Sequence, residues 1–118
     1  MCFILTKNQP EKAKEDIHCW KLLNANCSPA YGGDDLTKFT HRNTIPYISG
    51  KKNPKIKLIV YNGEIEEGYH SYRTKDRAIY WKGLHADDAA LVKEFVIPKG
   101  TLYCGNMYEL VSETIIMI

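Results

Sequence analysis

Apolar residues in this chain recur mostly at every second position and in short runs, a pattern that indicates β-strands. In the first clear run, IHCWKLLN at 17–24, apolar residues occupy both the odd and the even positions. This pattern predicts a strand buried on both faces. Lys21 interrupts it, and a lysine there needs a polar partner, an open cavity, or a strand edge from which its ammonium group reaches water.

Four later stretches continue the β pattern. KIKLIVYN at 55–62 ends at Asn62-Gly63, a dipeptide that favours a two-residue hairpin turn. VKEFVI at 92–97 alternates cleanly, and the segment 102–111 is divided by Gly105-Asn106 into two strands of another hairpin. The run ETIIMI at 113–118 is almost entirely apolar, which predicts a terminal strand buried between two others.

The stretch EEGYHSYRTKDRAIYW at 66–81 changes from a strand to a helix. YHSY predicts a short strand with His70 and Tyr72 on one face and Tyr69 and Ser71 on the other. Thr74 suits the N-cap of a helix over 75–82, with Gly83 as its terminating residue and a further helical turn at 86–90. Two side chains of the helix are expected to face the core, Ala78 and Trp81.

Residues 25–53 are rich in Asn, Ser, Gly, Asp, Thr and Pro and show no lasting period, so we predict a long loop with one short strand near Tyr47. Long loops inside compact domains are uncommon and often contribute to binding sites. Four aromatic or basic residues of the loop are therefore candidates for a site: Tyr31, Phe39, His41 and Arg42. The alternative is that the loop packs over the core.

Taken together, these elements predict an α+β fold. We expect a single small domain over residues 1–118 with five to seven strands in total, in a mostly antiparallel or split β-sheet, and one or two short helices. The length of 118 residues suits one hydrophobic core, and 44% hydrophobic with 25% charged residues is typical of globular proteins.

Charge and cysteine usage narrow the partners. A net charge of +2 gives no strong field for a polyanion, so nucleic acid is not an expected partner. Neither a signal peptide nor a membrane span is expected, and we predict a cytoplasmic protein, in a host cytoplasm if the source is viral. The four cysteines and four histidines lack metal-ligand spacing, so we predict reduced, structural cysteines, no metal and no cofactor.

Several motifs together resemble a group of small uncharacterised proteins of phages and gut bacteria. The chain matches the group's segments with EDIHCWKLL at 15–23, GYHSY at 68–72, IPKGTLY at 97–103 and VSETII at 111–116. The resemblance covers most of the chain outside 25–53 and implies a small, phage-encoded accessory protein, but no defined activity.

A fainter similarity is to the ADP-ribosyltransferase fold, a split-sheet domain that binds NAD in a cleft. That resemblance implies a basic residue on the first strand, a motif leading into a helix and a late glutamate. The matching positions in this chain are Lys21, His70 to Tyr72, and Glu113. A carboxylate of this kind holds a ribose hydroxyl and stabilises an oxocarbenium-like centre.

A histidine among tyrosines and arginines offers stacking faces, hydrogen-bond donors and cations, which suit a nucleobase or a phosphorylated ribose. The leading hypothesis is therefore binding and sequestration of a nucleotide-derived small molecule, with an anti-defence role. Its predicted ligand-binding residues are Lys21, Tyr31, His70, Ser71, Tyr72, Arg73 and Arg77. The chain has no G-x-G-x-x-G or Walker A motif, so side chains or the start of the helix would meet a phosphate.

Three other interpretations stay open. The first is a transferase-like or nucleotide-cleaving enzyme that uses His70 and Glu113. The second is an inhibitor that binds a host protein directly through the loop and exposed tyrosines. For these two and for the leading hypothesis alike, the apolar terminal strand could pair across a two-fold axis and make a homo-oligomer. The third is purely structural, with the tyrosines and His70 as half-buried packing residues and the charges near Thr74 simply solvated.

Overall fold

The computed structural model describes residues 3–4, 10–27, 34–35, 42–43, 46–61, 64–85 and 90–118. The predictions for Tyr31, Phe39, His41, the Asn62-Gly63 turn and the helical turn at 86–90 lie at least partly outside those residues. The strands are β1 Phe3–Ile4, β2 Glu11–Lys12, β3 Ile17–Leu23, β4 Asp34–Asp35, β5 Arg42–Asn43, β6 Ile59–Tyr61, β7 Glu64–Glu67, β8 Tyr69–Tyr72, β9 Leu91–Ile97, β10 Leu102–Gly105, β11 Glu109–Ser112 and β12 Ile116–Met117, and the helix is α1 Lys75–His85.

Seven strands form the main sheet, in the order β12-β9-β3-β8-β11-β10-β2. Smaller sheets are β1-β7-β6 and β4-β5, and every described strand pair is antiparallel. The α+β prediction is thus confirmed in its coarse form, a mostly antiparallel main sheet with one helix among the described residues. The predicted total of five to seven strands is too low, because twelve strands are described. The helix content is low.

The two faces of the main sheet bury different sets of residues. One face, here called the core face, carries most of the fully buried side chains and is covered by part of the segment 46–58, including Tyr47 and Ile56. The core-face cluster is Cys19, Leu23, Tyr47, Tyr69, Phe95, Ile97, Leu110, Ile115 and Met117. The opposite face, here called the helix face, packs Leu22 and Tyr72 against Ala78 of α1. The predicted alternation of β3 and the inward position of Ala78 are confirmed.

Helix α1 begins where the sequence predicts and ends later. The backbone N–H of Arg77 donates to Thr74 Oγ1 at 3.2 Å, which confirms Thr74 as the N-cap. The helix continues through Gly83 to His85, so the predicted stop at Gly83 is wrong. A glycine inside a helix costs only about 1 kcal/mol relative to alanine, and packing of Ala78 and Trp81 against the sheet is enough to offset that cost.

The segment before β6 is not a strand, contrary to the prediction for 55–62, and only Ile59–Tyr61 pairs with β7. Its polar groups bond instead to other elements: Ile56 N–H donates to the Glu113 carbonyl at 2.8 Å. Tyr69 Oη donates to the Pro54 carbonyl at 2.8 Å. The segment therefore crosses the core face as an irregular cover.

Tyr47 belongs to the same cover. It lies in irregular chain, so the short strand predicted near it is wrong. Its ring is buried and meets Phe95 edge-on, with 4.9 Å between centroids. Aromatic packing of this kind fixes the residue without a strand ladder.

Strand β12 lies at one edge of the main sheet and pairs with β9, not between two other strands as predicted. Its outer side is covered by a short run of chain instead. Gly50 N–H donates to the Met117 carbonyl at 2.7 Å, and Lys52 forms an isolated bridge with Ile116. The apolar composition of 113–118 reflects this cover.

One glycine is required where β7 leads into β8. Gly68 has φ of 149°, and a Cβ added there would lie 2.1 Å from Val111 Cγ1. A side chain at this position would therefore force the β7–β8 connection away from β11.

Candidate functional site

The predicted ligand-binding residues do not form one cluster. His70 and Tyr72 pair with Val111 and Glu109 of β11, whereas Ser71 pairs with Leu110. Since neighbouring side chains of a strand point to opposite faces, His70 and Tyr72 lie on the helix face and Ser71 on the core face. The predicted alternation of YHSY is confirmed, and it divides the predicted set between two environments.

Lys21 lies on the core face in the interior of the sheet, because β3 runs between β9 and β8. Its side chain is only 5% exposed, so the ammonium group does not reach water from a strand edge. Lys21 Nζ donates to the carbonyl oxygen of His70, and it lies 5.7 Å from the centroid of the Tyr47 ring. These contacts connect β3 to β8 and to the segment 46–58, which covers the core face.

Two buried thiols near these strands are held protonated. Burial raises the pKa of Cys19 to about 11, although the nearby Ser71 hydroxyl and the Lys21 charge lower it. Burial raises the pKa of Cys104 to about 12. Neither thiol forms the thiolate needed for nucleophilic chemistry at neutral pH, which agrees with the structural role predicted for them.

Arg73 fastens the β10–β11 hairpin to the end of β8. Its backbone N–H donates to the Tyr108 carbonyl at 2.9 Å, and its Nε donates to the Asn106 carbonyl at 2.6 Å. A Cβ at Gly105 would lie 2.4 Å from the backbone carbonyl oxygen of Glu109, so the β10–β11 hairpin requires glycine at that position. Arg73 is thus used largely to hold the turn.

Arg77 has a different environment, on the helix side of the same hairpin. Its guanidinium carbon lies 4.0 Å from the ring centroid of Tyr108, 4.8 Å from that of Tyr80 and 5.5 Å from that of Trp81. Tyr80 and Trp81 follow Arg77 on α1, whereas Tyr108 comes from the turn between β10 and β11. We call these four residues the arginine–aromatic cluster.

The cluster is open to solvent. Tyr80 is 52% exposed and Tyr108 47%, and the neighbouring Met107 is 73% exposed. Arg77 itself is half-buried, and its Nε is buried with no hydrogen-bond partner among the described residues. The positive charge of Arg77 therefore lies against aromatic rings and is not paired with a carboxylate in the described part of the chain.

One carboxylate lies within the electrostatic reach of the cluster. Burial raises the pKa of Glu109, and the charge of Arg77 lowers it. Glu109 is half-buried, and its backbone N–H donates to Asn106 Oδ1 at 2.9 Å. The same oxygen accepts from Tyr108 N–H at 2.9 Å, so the Asn106 side chain fixes both Tyr108 and Glu109 in the turn.

Glu113, the predicted late acid, is 6% exposed and bonded within the fold. Its Oε1 accepts from the Leu102 backbone N–H at 3.0 Å and lies 3.5 Å from Lys55 Nζ. This carboxylate joins the start of β10 to the cover segment.

Sequence reasoning selected Arg77 but not its partners on the surface. The Arg77 to Tyr80 spacing of three residues on a helix was a usable signal, because such residues share a face. Tyr108 and Glu109 gave no comparable signal, since they approach Arg77 only through the β8–β11 pairing. Tyr31 lies outside the described residues.

Among the described residues, no group of three His, Cys, Asp or Glu side chains is arranged to hold a metal ion. No helix in that part of the chain is long and apolar enough to cross a membrane.

Comparison with known proteins found no matching family model, no matching curated protein and no matching solved structure. The two family resemblances therefore stay predictions. The function has to be argued from the geometry of the described side chains.

Proposed function

We propose that this protein binds and sequesters a nucleotide-derived small molecule, and that the arginine–aromatic cluster is where the ligand binds. The observation that carries the proposal is the position of the half-buried Arg77 guanidinium against the exposed rings of Tyr108 and Tyr80, without an ion-pair partner among the described residues. A ligand with both an anionic group and a planar ring matches these two features.

The anionic group would meet Arg77. A guanidinium presents parallel N–H donors that match a phosphate or carboxylate with two hydrogen bonds. Stacking on Tyr108 restricts the rotamers of Arg77, so less conformational entropy is lost when the ligand binds. Partial burial among rings also strengthens the charge–charge interaction relative to open water.

The planar group would meet the exposed tyrosine rings. Tyr80 and Tyr108 are each about half exposed, and each ring lies within 5 Å of the same guanidinium. Stacking of a nucleobase on an aromatic side chain contributes about 1–3 kcal/mol and requires no particular base. The combination of phosphate and base accounts for both parts of the cluster.

Sequestration fits the cluster better than cleavage. The four residues provide a cation and aromatic rings, and the two tyrosine hydroxyls are their only groups of a type that serves as a nucleophile or a general acid or base. Glu113, on which the enzyme hypothesis depends, accepts a hydrogen bond from Leu102 N–H. The resemblance to phage proteins makes nucleotide signals of bacterial defence the first ligands to test, and sequestering them would be an anti-defence function.

The test is isothermal titration calorimetry with NAD, ADP-ribose and a cyclic dinucleotide, followed by mass spectrometry of the denatured complex. We expect at least one probe to bind and to be released intact. Arg77→Gln and Tyr108→Leu should each weaken binding about tenfold or more. Lys99→Gln is the charge-matched control, because Lys99 is exposed on the turn after β9. Absence of heat with all probes at millimolar concentration would reject the proposal.

A protein partner is the second candidate, favoured by the composition of the same surface. Arginine, tyrosine, tryptophan and methionine are the residue types enriched at protein interfaces, and Met107 is the most exposed large apolar side chain described. Capture of a host protein that Met107→Glu abolishes, together with no nucleotide binding, would favour this candidate.

A further inference from the structure

Glu109 is placed to read the part of the ligand that Arg77 and the tyrosines do not contact. This inference rests on the proposed function. We propose that Glu109 is the specificity-determining residue of the site, and that it selects nucleotides presenting two adjacent hydrogen-bond donors.

The position of Glu109 follows from three observations. It is the first residue of β11 and pairs with Tyr72, so its side chain lies on the helix face. It follows Tyr108 directly, and Asn106 Oδ1 accepts a hydrogen bond from the backbone N–H of each. The charge of Arg77 acts on its carboxyl group. A ligand stacked on Tyr108 would therefore place one edge near the Glu109 carboxylate.

The Glu109 carboxylate forms no ion pair or hydrogen bond within the described part of the chain, where the backbone N–H and carbonyl of Glu109 bond to Asn106. Its two oxygens are therefore available as acceptors. An ionised carboxylate only accepts hydrogen bonds, and its two oxygens match a pair of adjacent donors. Since burial has removed part of its hydration, a ligand that supplies such a pair gains more than it would at an exposed acid.

The same carboxylate excludes other ligands. A phosphate brought near Glu109 without a donor between them is repelled, because both groups are negative. A carboxylate that loses water without gaining a donor also incurs a desolvation cost. Glu109 therefore works by selecting against nucleotides that present only acceptors at this edge.

Two parts of a nucleotide carry adjacent donors. The ribose has vicinal 2′- and 3′-hydroxyl groups, and guanine has its N1–H beside its 2-amino group. These sources share the chemistry that Glu109 recognises but differ in where the ligand would stack. They are separated by comparing probes that differ in one feature at a time.

The experiment measures the affinity of the full chain for AMP, dAMP, GMP and dGMP. Recognition of the ribose hydroxyls predicts that AMP and GMP bind about tenfold more tightly than dAMP and dGMP. Recognition of guanine predicts that GMP and dGMP bind more tightly than AMP and dAMP by a similar factor. If none of the four binds, the proposed function itself is contradicted for mononucleotides. If all four bind alike, only the role of Glu109 is rejected.

Variants separate selection from general affinity. Glu109→Gln should abolish the preference, because one oxygen is replaced by an amide donor, whereas Glu109→Asp should retain part of it. Arg77→Gln should weaken all four probes and leave their ratio unchanged. Thermal unfolding checks that each variant is folded. A preference that persists in Glu109→Gln would overturn the assignment.

Discussion

Lys21 and Arg77 are two cations placed beside tyrosine rings on opposite faces of the same sheet, and their surroundings differ. Lys21 is 5% exposed, bonded to a backbone carbonyl and covered by Tyr47. Arg77 is half-buried, and its guanidinium carbon lies 4.0 Å from the ring centroid of Tyr108, which is 47% exposed. A cation–π pair therefore does not by itself indicate whether a cation has a structural or a functional role. Access to the pair and the remaining partners of the cation decide between the two.

The faces differ in the same way as a whole. On the core face, the irregular cover of residues 46–58 reaches the sheet through Tyr47 and Ile56. On the helix face, α1 covers Leu22 and Tyr72 but leaves the tyrosines of its own surface and of the β10–β11 turn exposed. Stability should therefore depend mainly on the first face and ligand binding on the second.

The largest expected difference is between the two tyrosine rings. Tyr47→Ala should destabilise the protein by about 3–5 kcal/mol, because it removes a buried ring that packs edge-on against Phe95. Tyr108→Ala should cost less than about 1 kcal/mol, since half of that side chain is already exposed. Urea unfolding measures both values. Equal losses of stability would contradict the contrast drawn between the two faces.

The next largest effect separates the two cations. Lys21→Met should reduce the free energy of unfolding by about 1–3 kcal/mol, because the buried His70 carbonyl loses the lysine donor while the side-chain volume is kept. Arg77→Met should change stability by less than about 0.5 kcal/mol and weaken ligand binding.

The opposite result for Lys21 would also be informative. Replacement of a buried ion by an apolar residue stabilises some proteins. A more stable Lys21→Met variant that no longer binds nucleotide would move the site to the core face, to the set predicted from the sequence around Lys21 and Ser71.

The sequence predicted elements better than their arrangement. Strand β3, the YHSY strand, the Thr74 cap and the 102–111 hairpin depend on local periodicity and turn chemistry, which the residues carry themselves. The predictions for 55–62 and 113–118 assigned apolar runs to paired strands. Apolar composition shows that a segment is buried but not which part of the chain covers it. Here these segments are held by irregular chain and by hydrogen bonds from side chains, not by strands on both sides.

The candidate site was predicted in part for the same reason. The cluster around GYHSY is contiguous in sequence, but strand alternation sends Ser71 and His70 to opposite faces. Tyr108 and Glu109 meet Arg77 only through long-range pairing of β8 with β11, which no local pattern encodes.

A smaller effect is the loss of stability at alkaline pH when Cys19 on the core face loses its proton. The pKa of Cys19 is raised from 9.0 to about 11 in the fold, so the unfolded chain releases this proton first. The stability contributed by the protonated thiol is complete below pH 9 and should be lost as pH rises towards 11, by at most about 1.4 kcal/mol per pH unit. Cys19→Ala should remove this slope from the urea-unfolding profile. An unchanged slope would show that other groups set the alkaline limit.

The smallest expected effect is the change in stability when Glu109 on the helix face takes up a proton at acidic pH. The folded pKa of Glu109 lies above its ordinary value near 4.5, so the folded protein takes up this proton before the unfolded chain does. Stability from this group should therefore rise as pH falls through the raised pKa and be complete below 4.5. The gain should be small, because the carboxyl group is partly solvated and the charge of Arg77 opposes the rise in pKa. The difference in unfolding free energy between wild type and Glu109→Gln, followed from pH 7 to pH 4, isolates this contribution. If this difference in unfolding free energy shrinks when ligand is added, the titration of Glu109 is connected to the binding surface. If the difference has the opposite sign, attraction to Arg77 outweighs the effect of burial on this carboxylate.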